Sequence, residues 1–419
     1  MIRQVLSALG LIGLGIALAL LVVDLGVRIA NHWFPYFYCY DAERGWGLNP
    51  GAHGWYTREG RSYLRINHDG FRGPDYPLTK PPDTIRVAVL GDSYVEAMQV
   101  AEDKTFTAVI ARELAESPIL KGRKVEALNF GVDGYGTLQE LITLQRKVWK
   151  YHPDIVVLAI FLGNDVRNNS VALEPDQCRP FLVPENGRYV AGGPFIDSPG
   201  YRLWCEARFD YRDLRLFDLF KNTLEVMLHG GSGPTPQHPI EQAINYNIYK
   251  PPVDQTWREA WAVTETEVTM VRDEAARHGA MFLAVTEENG IQAWPVPAVR
   301  IRFQKHLGVP DLFYPDRRIA ALGDREGFAV LMLAPPMQAY AEAHRVFLHG
   351  FSNTPAGFGH WNEAGHQEAG TLIAARLAAM IAARQCPKCG IPTRGAGPSA
   401  SGQAPDGKAP ASDSPSALH

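Results

Sequence analysis

The sequence predicts an α/β fold built on a parallel sheet of five strands. Three observations predict it. From Ile85 onward, short β-branched apolar runs alternate with segments whose apolar residues recur at helical spacing, the pattern of strands joined by covering helices. The run Ile155 to Phe161 is apolar without interruption, as expected of a strand buried on both faces. The first run, Ile85 to Leu90, stops on Gly91-Asp92-Ser93, and open α/β sheets place their ligands beyond the carboxyl ends of their strands.

The chain has 419 residues, enough for one large domain with appendages. Its net charge is -4, and no block of five or more like charges occurs. Nothing in this balance suggests a nucleic-acid partner.

Taken in order, residues 1–30 read as a transmembrane anchor. Val5 to Val23 carries no charge and one polar side chain, Ser7. At about 1.5 Å per residue the run just spans a hydrocarbon core of about 30 Å. Ala17-Leu-Ala19 has the small-x-small form of a cleavage site, but Leu20 to Val23 continues the apolar run beyond it, which favours an uncleaved anchor. Arg3 ahead of the run favours an amino end in the cytoplasm and a catalytic domain outside it. Residues 31–83 read as an amino-terminal elaboration docked on the main domain. Asn31 to Tyr40 is crowded with aromatics, including Trp33, Phe34, Phe37 and Tyr38, suited either to a membrane interface or to packing. Tyr63 to Asn67 reads as a short strand, followed by the turn Asn67-His-Asp-Gly70.

Residues 84–385 form the main domain. Its strands are Ile85–Leu90, Val125–Phe130, Ile155–Phe161, Met281–Val285 and Phe328–Leu333. Helices are expected over Thr105–Glu116, over Leu138–Trp149 with Thr137 as N-cap, over Trp257–His278 and over Asn362–Arg384. Residues 166–256 break the rhythm and read as an insertion at the sheet's carboxyl edge, with a helical patch around Tyr211 to Leu228 and the loop Gly230–Pro234. Cys178 and Cys205 flank an irregular part of it and would pair in an oxidising compartment. Residues 386–419 are a low-complexity tail expected to be disordered. It opens on Cys386-Pro-Lys-Cys389, which suits a local disulfide, a redox pair or no function at all. Cys39 is left over.

Ser93 is the candidate nucleophile, and a serine hydroxyl needs a base to take its proton. His360, in Gly359-His360-Trp-Asn-Glu-Ala-Gly365-His366, can return from the loop after the last strand to the end of the first. His360, Glu363 and His366 do not suit a metal, because residues six apart on a helix point to different faces. His366 reads as structural, and no cofactor is called for. The acyl-transfer intermediate needs oxyanion donors. Gly134, in the glycine-rich loop after the second strand, and Asn164, in Gly163-Asn164-Asp165 after the third, lie at the same edge, with the amide of Ser93 as the third donor.

This ordered set resembles the SGNH/GDSL hydrolase superfamily over roughly Ile85 to Arg384. The matching blocks are Gly91-Asp92-Ser93 with Glu96, Gly134 in its loop, Gly163-Asn164-Asp165, and His360-Trp-Asn-Glu-Ala-Gly-His. The resemblance implies a flavodoxin-like three-layer α/β/α sandwich and ester chemistry without a metal. Ser93 is then nucleophile and His360 base and acid, while Ser93, Gly134 and Asn164 form the oxyanion hole and Asp92, Glu96 and Asp165 support it. The family usually places an aspartate three residues before the histidine. Here that residue is Gly357, and no acid lies between Arg345 and His360. His360 is therefore oriented by a backbone carbonyl or by an acid from elsewhere in the chain, or it has no orienter.

The expected function is that of a membrane-anchored, extracytoplasmic serine esterase acting on acylated small molecules or glycans. An O-acyltransferase using the same residues, or a non-catalytic glycan-binding or assembly protein on the same scaffold, are the alternatives.

Overall fold

The computed structural model describes residues 2–31, 36–212 and 244–385. Cys386 and Cys389, the tail, Trp33, Phe34, the loop Gly230–Pro234 and most of the expected patch around Tyr211 to Leu228 lie outside them.

Four short strands come first: β1 (Tyr38–Asp41), β2 (Gly45–Leu48), β3 (His53–Tyr56) and β4 (Ser62–Arg65). They form two antiparallel hairpins, β1–β2 and β3–β4. Then follow β5 (Thr84–Gly91), β6 (Lys124–Gly131) and β7 (Ile155–Phe161). A hairpin in the inserted segment supplies β8 (Phe181–Glu185) and β9 (Arg188–Gly192). The last strands are β10 (Met281–Glu287) and β11 (Ala329–Met332).

The central sheet has the order β11-β10-β7-β5-β6, and all its pairings are parallel. Numbering only its own strands along the chain, the order is 2-1-3-4-5, the flavodoxin-like winding. Right-handed crossovers then fix the layers. The β5-to-β6 connection runs one way along the sheet and every later one runs the other. The helix Phe106–Glu116 therefore lies on one face, packed with the last helix, Glu363–Gln385, and the helix Gln255–Arg277 lies on the other. Both faces are covered, so β5 and β7 are buried along their whole length. The one charge inside β5, Arg86, is fully buried. It pairs with Glu126 at 2.7 Å and donates to the carbonyls of Pro77, Leu78 and Tyr151. It thus ties the amino-terminal elaboration to the sheet.

Local chemistry set most helix ends. Thr105 Oγ1 accepts from the Ala108 amide, Asp254 from the Trp257 amide, and Asn362 Oδ1 from the Ala364 and Gly365 amides, each satisfying a first-turn N–H. One expected cap is different. Thr137 is the first helical residue, not the N-cap, and Asn169 Oδ1 accepts its amide at 2.8 Å. That helix is regular only to Thr143. It then widens into a π-turn over Leu144–Val148 and tightens into a 3₁₀ turn over Trp149–Tyr151, where a single helix was expected.

The amino-terminal segment Ile2–Asn31 is helical. Leu11, Leu14 and Leu21 are among its exposed apolar side chains. Among the described residues no helix is long and apolar enough to cross a membrane. The aromatics that follow pack inward where they are described. Phe37 is buried and Tyr38 donates to Glu96 Oε2 at 3.0 Å. In the inserted segment, Cys178 and Cys205 form a disulfide, while the Cys39 thiol, in β1, donates to the Leu48 carbonyl at 3.6 Å.

Candidate active site

A doubly wound sheet opens a crevice where its strand order reverses, here between β5 and β7 at their carboxyl ends. Gly91 closes β5 against this crevice. A Cβ at Gly91 would lie 2.3 Å from Val95 Cγ2, so the turn into the short helix Ser93–Glu96 requires glycine. Asp92 caps that helix. Its Oδ1 accepts the Tyr94 amide at 3.0 Å and its Oδ2 accepts Asn164 Nδ2 at 3.1 Å. Burial pushes the Asp92 carboxyl up to about 6, against the pull of those two donors. Ser93 and Asn164, on neighbouring strand ends, are thereby tied together through Asp92.

His360 reaches this point from the loop after β11. Its Nε2 lies 2.8 Å from Ser93 Oγ, within the reach that a nucleophile and its base require. Its Nδ1 lies 2.5 Å from Glu59 Oε2, and its backbone amide donates to Glu59 Oε1 at 2.7 Å. Glu59 sits in the turn between β3 and β4. An acid from elsewhere in the chain therefore contacts His360, and sequence reasoning missed it. The only signal in the sequence was the vacancy at Gly357; the separation of 301 residues left no pattern to read.

Burial pulls the His360 imidazole down, but the hydrogen bond and charge of Glu59, helped by Asp133 and Asp92, outweigh it and leave it above its ordinary value. Burial pushes Glu59 up, and the hydrogen bond and charge of His360 outweigh it, leaving the carboxyl below its usual range.

The loop carrying His360 is braced from beneath. The Gly359 carbonyl accepts from the Tyr94 hydroxyl at 3.2 Å and faces His349 Nδ1 at 2.7 Å. Glu288 Oε1 in turn accepts from Trp361 Nε1 at 2.8 Å and lies 3.2 Å from His349 Nε2. Tyr94 stacks on Phe161 with ring centroids 4.3 Å apart and lies 5.1 Å from the His360 ring. Tyr94 is thus part of the frame around His360.

Gly134 lies in the loop after β6 with φ +71°. That loop is held by Trp46, whose Nε1 donates to the Asp133 carbonyl at 2.9 Å. Two expected supporting residues, Glu96 and Asp165, are buried. Glu96 accepts from Tyr38, docking the amino-terminal segment; burial first, then Asp133, pushes its carboxyl well up. Asp165 is fully buried, and burial, then the carboxyls of Glu140, Asp92 and Glu287, pushes its own well up. Both environments favour the protonated acid. His366 is structural. Its ring stacks on Phe106, Nδ1 accepts the Phe106 amide at 3.3 Å, and burial pulls it well down.

No family model and no curated protein sequence matches the chain. Among solved structures, it is similar to the acetyl xylan esterase AlAXEase, at 12% identity over 70% of this chain and 100% of that one, with a TM-score of 0.36. It is similar to the lipase/acylhydrolase from Enterococcus faecalis, at 13% identity over 71% and 96% of the two chains, with a TM-score of 0.34. A two-domain esterase active on acetylated mannans matches at 10% identity over 71% of this chain and 50% of that one, with a TM-score of 0.34. Scores of this size carry no weight on function, which stands on the sheet order and the site's geometry.

Proposed function

We propose that the protein is a serine ester hydrolase of the SGNH/GDSL type, working through an acyl-enzyme. The observation that carries this reading is the 2.8 Å contact between Ser93 Oγ and His360 Nε2 at the switch point of the sheet. His360 takes the Ser93 proton as Oγ attacks the acyl carbonyl. The oxyanion is met by the amides of Ser93 and Gly134 and by the second N–H of Asn164 Nδ2, whose first is held by Asp92. His360 returns the proton to the leaving alcohol. It then deprotonates a water that attacks the acyl-Ser93 ester, and the protonated histidine gives its proton back to Ser93 as the acid leaves.

A histidine with no orienting acid would support a non-catalytic scaffold. The contact between Glu59 and His360 removes that support. The Cys178–Cys205 disulfide favours an oxidising, extracytoplasmic compartment. The run Val5–Val23 favours attachment to a membrane. An outward-facing esterase would meet O-acyl groups on envelope or exported glycans, which we take as the substrate class.

A fluorophosphonate probe tests the site. Wild-type protein is expected to label, Ser93→Ala to remain unlabelled and His360→Ala to label at a sharply reduced rate. Unlabelled wild type refutes the reading. Release of free acid from an O-acetylated glycan, rather than transfer to an added sugar acceptor, separates hydrolase from acyltransferase.

A further inference from the structure

An imidazole base needs a partner on Nδ1 that fixes its tautomer and stabilises the imidazolium. The loop that carries His360 cannot furnish one from residue 357. Gly357 has φ +84°, and a Cβ there would lie 2.4 Å from Trp294 Cζ3. Any side chain at 357 meets the Trp294 ring and also needs left-handed backbone.

The carboxylate comes instead from the β3–β4 hairpin. Glu59 accepts from both Nδ1 and the backbone amide of His360, so one carboxylate fixes the ring and the chain beneath it. Gly359 makes room: a Cβ there would lie 2.0 Å from Glu59 Oε1.

The tip of the hairpin is held from two sides. On the His360 side, Asn353 Oδ1 accepts the Gly60 amide at 2.9 Å. Its Nδ2 faces the carbonyls of Thr57 at 3.1 Å and Gly60 at 3.2 Å. On the Ser93 side, Ser62 Oγ donates to the Met98 carbonyl at 2.5 Å. A Cβ at Gly60 would lie 2.4 Å from the Gln99 carbonyl oxygen. The tip is thus wedged between the segment that follows the nucleophile and the loop that precedes the base. All three of these Asn353 contacts are to the hairpin tip.

We propose that the β3–β4 hairpin is a positioning module of the active site: Glu59 orients His360, and Asn353 seats Glu59. The proposal rests on Ser93 and His360 being the reacting pair. It makes the chain ahead of the sheet a working part of the enzyme. A hairpin that only braced the fold would affect stability and leave the titration of His360 alone.

The test uses the full chain and reads kcat/KM for p-nitrophenyl acetate, and the rate of fluorophosphonate labelling, against pH. Glu59→Gln is expected to lower kcat/KM by up to about 10⁴-fold, the loss seen when the orienting acid of a triad is neutralised. Its acid limb is expected to move to lower pH, because the carboxylate that raises His360 is gone. Glu59→Asp keeps the charge and should restore part of the rate and of the limb. Asn353→Ala should lower the rate about tenfold or more, with a smaller shift of the limb in the same direction. It also keeps the test open should Glu59→Gln fail to fold. Folded variants whose acid limb matches wild type overturn the proposal, as does Glu59→Gln within about threefold of wild type. Unlabelled wild type overturns the Ser93–His360 reading, and this proposal with it.

Discussion

Removal of the Asn164 side chain gives the sharpest check on the oxyanion assignment. Asn164 Nδ2 donates to Asp92 Oδ2 at 3.1 Å, and Asp92 is in turn anchored by the Tyr94 amide at 3.0 Å. The plane of the amide is therefore set before substrate arrives, and its second N–H needs no reorganisation when the carbonyl becomes tetrahedral. Donors fixed in this way act mainly in the transition state. Asn164→Ala should lower kcat for p-nitrophenyl acetate by about 10²- to 10³-fold, or roughly 3–4 kcal/mol, and leave KM nearly unchanged. The same change strips one donor from a carboxyl that is only 1% exposed. That loss should cost about 1–3 kcal/mol of stability, read as a fall of several degrees in Tm. Steady-state kinetics and a thermal melt separate the two effects. A folded Asn164→Ala protein whose kcat falls less than tenfold would refute the assignment of Asn164 to the oxyanion hole.

Three other predictions follow from the same frame. The Glu59–His360 pair makes stability depend on pH in a defined window. The depressed Glu59 carboxyl contributes stability above its ordinary value of 4.5, lost as pH falls through its folded value; the raised His360 contributes fully below 6.5, lost as pH rises through its folded value. The Tm difference between wild type and Glu59→Gln should therefore peak between about pH 4.5 and 6.5 and shrink on either side, and a difference constant across pH 3–9 would refute the coupling. Ser93 needs neutral His360, so activity should peak at higher pH than this contribution to stability. Reducing the Cys178–Cys205 disulfide releases a loop with a sequence separation of 27, worth about 3.5 kcal/mol of chain entropy; a melt with and without reductant should differ by several degrees, and identical melts would show that the inserted segment gains nothing from the link. Tyr94→Phe removes the hydroxyl's contact to the Gly359 carbonyl and keeps the ring on Phe161, so stability should fall by about 1 kcal/mol and kcat/KM less than tenfold; a loss beyond 100-fold would place the hydroxyl in the chemistry itself.

The parallel sheet was legible because strand and helix signals are local. The run Ile155 to Phe161 is the strand β7 residue for residue, and β5 and β6 extend the expected runs by one residue at each end. Helix ends capped by their own neighbours, such as Thr105 and Asp254, also follow from short-range chemistry. The helix after Gly136 is different. Its first amide is capped by Asn169, 32 residues away, so that cap could not be read from its own residues.

The same division runs through the site. The sequence by itself determined that Ser93, Gly134, Asn164 and His360 stand at the ends of successive elements, because strand ends and glycine turns are written in neighbouring residues. It also showed Gly357 where an acid was expected. Only the tertiary structure decided what answers that vacancy. Glu59 reaches His360 from 301 residues away, through a hairpin whose seat is made by Asn353, Met98 and Gln99. No periodicity or spacing encodes such a contact, because it exists only once the chain ahead of the sheet has docked against the loops at the sheet's edge.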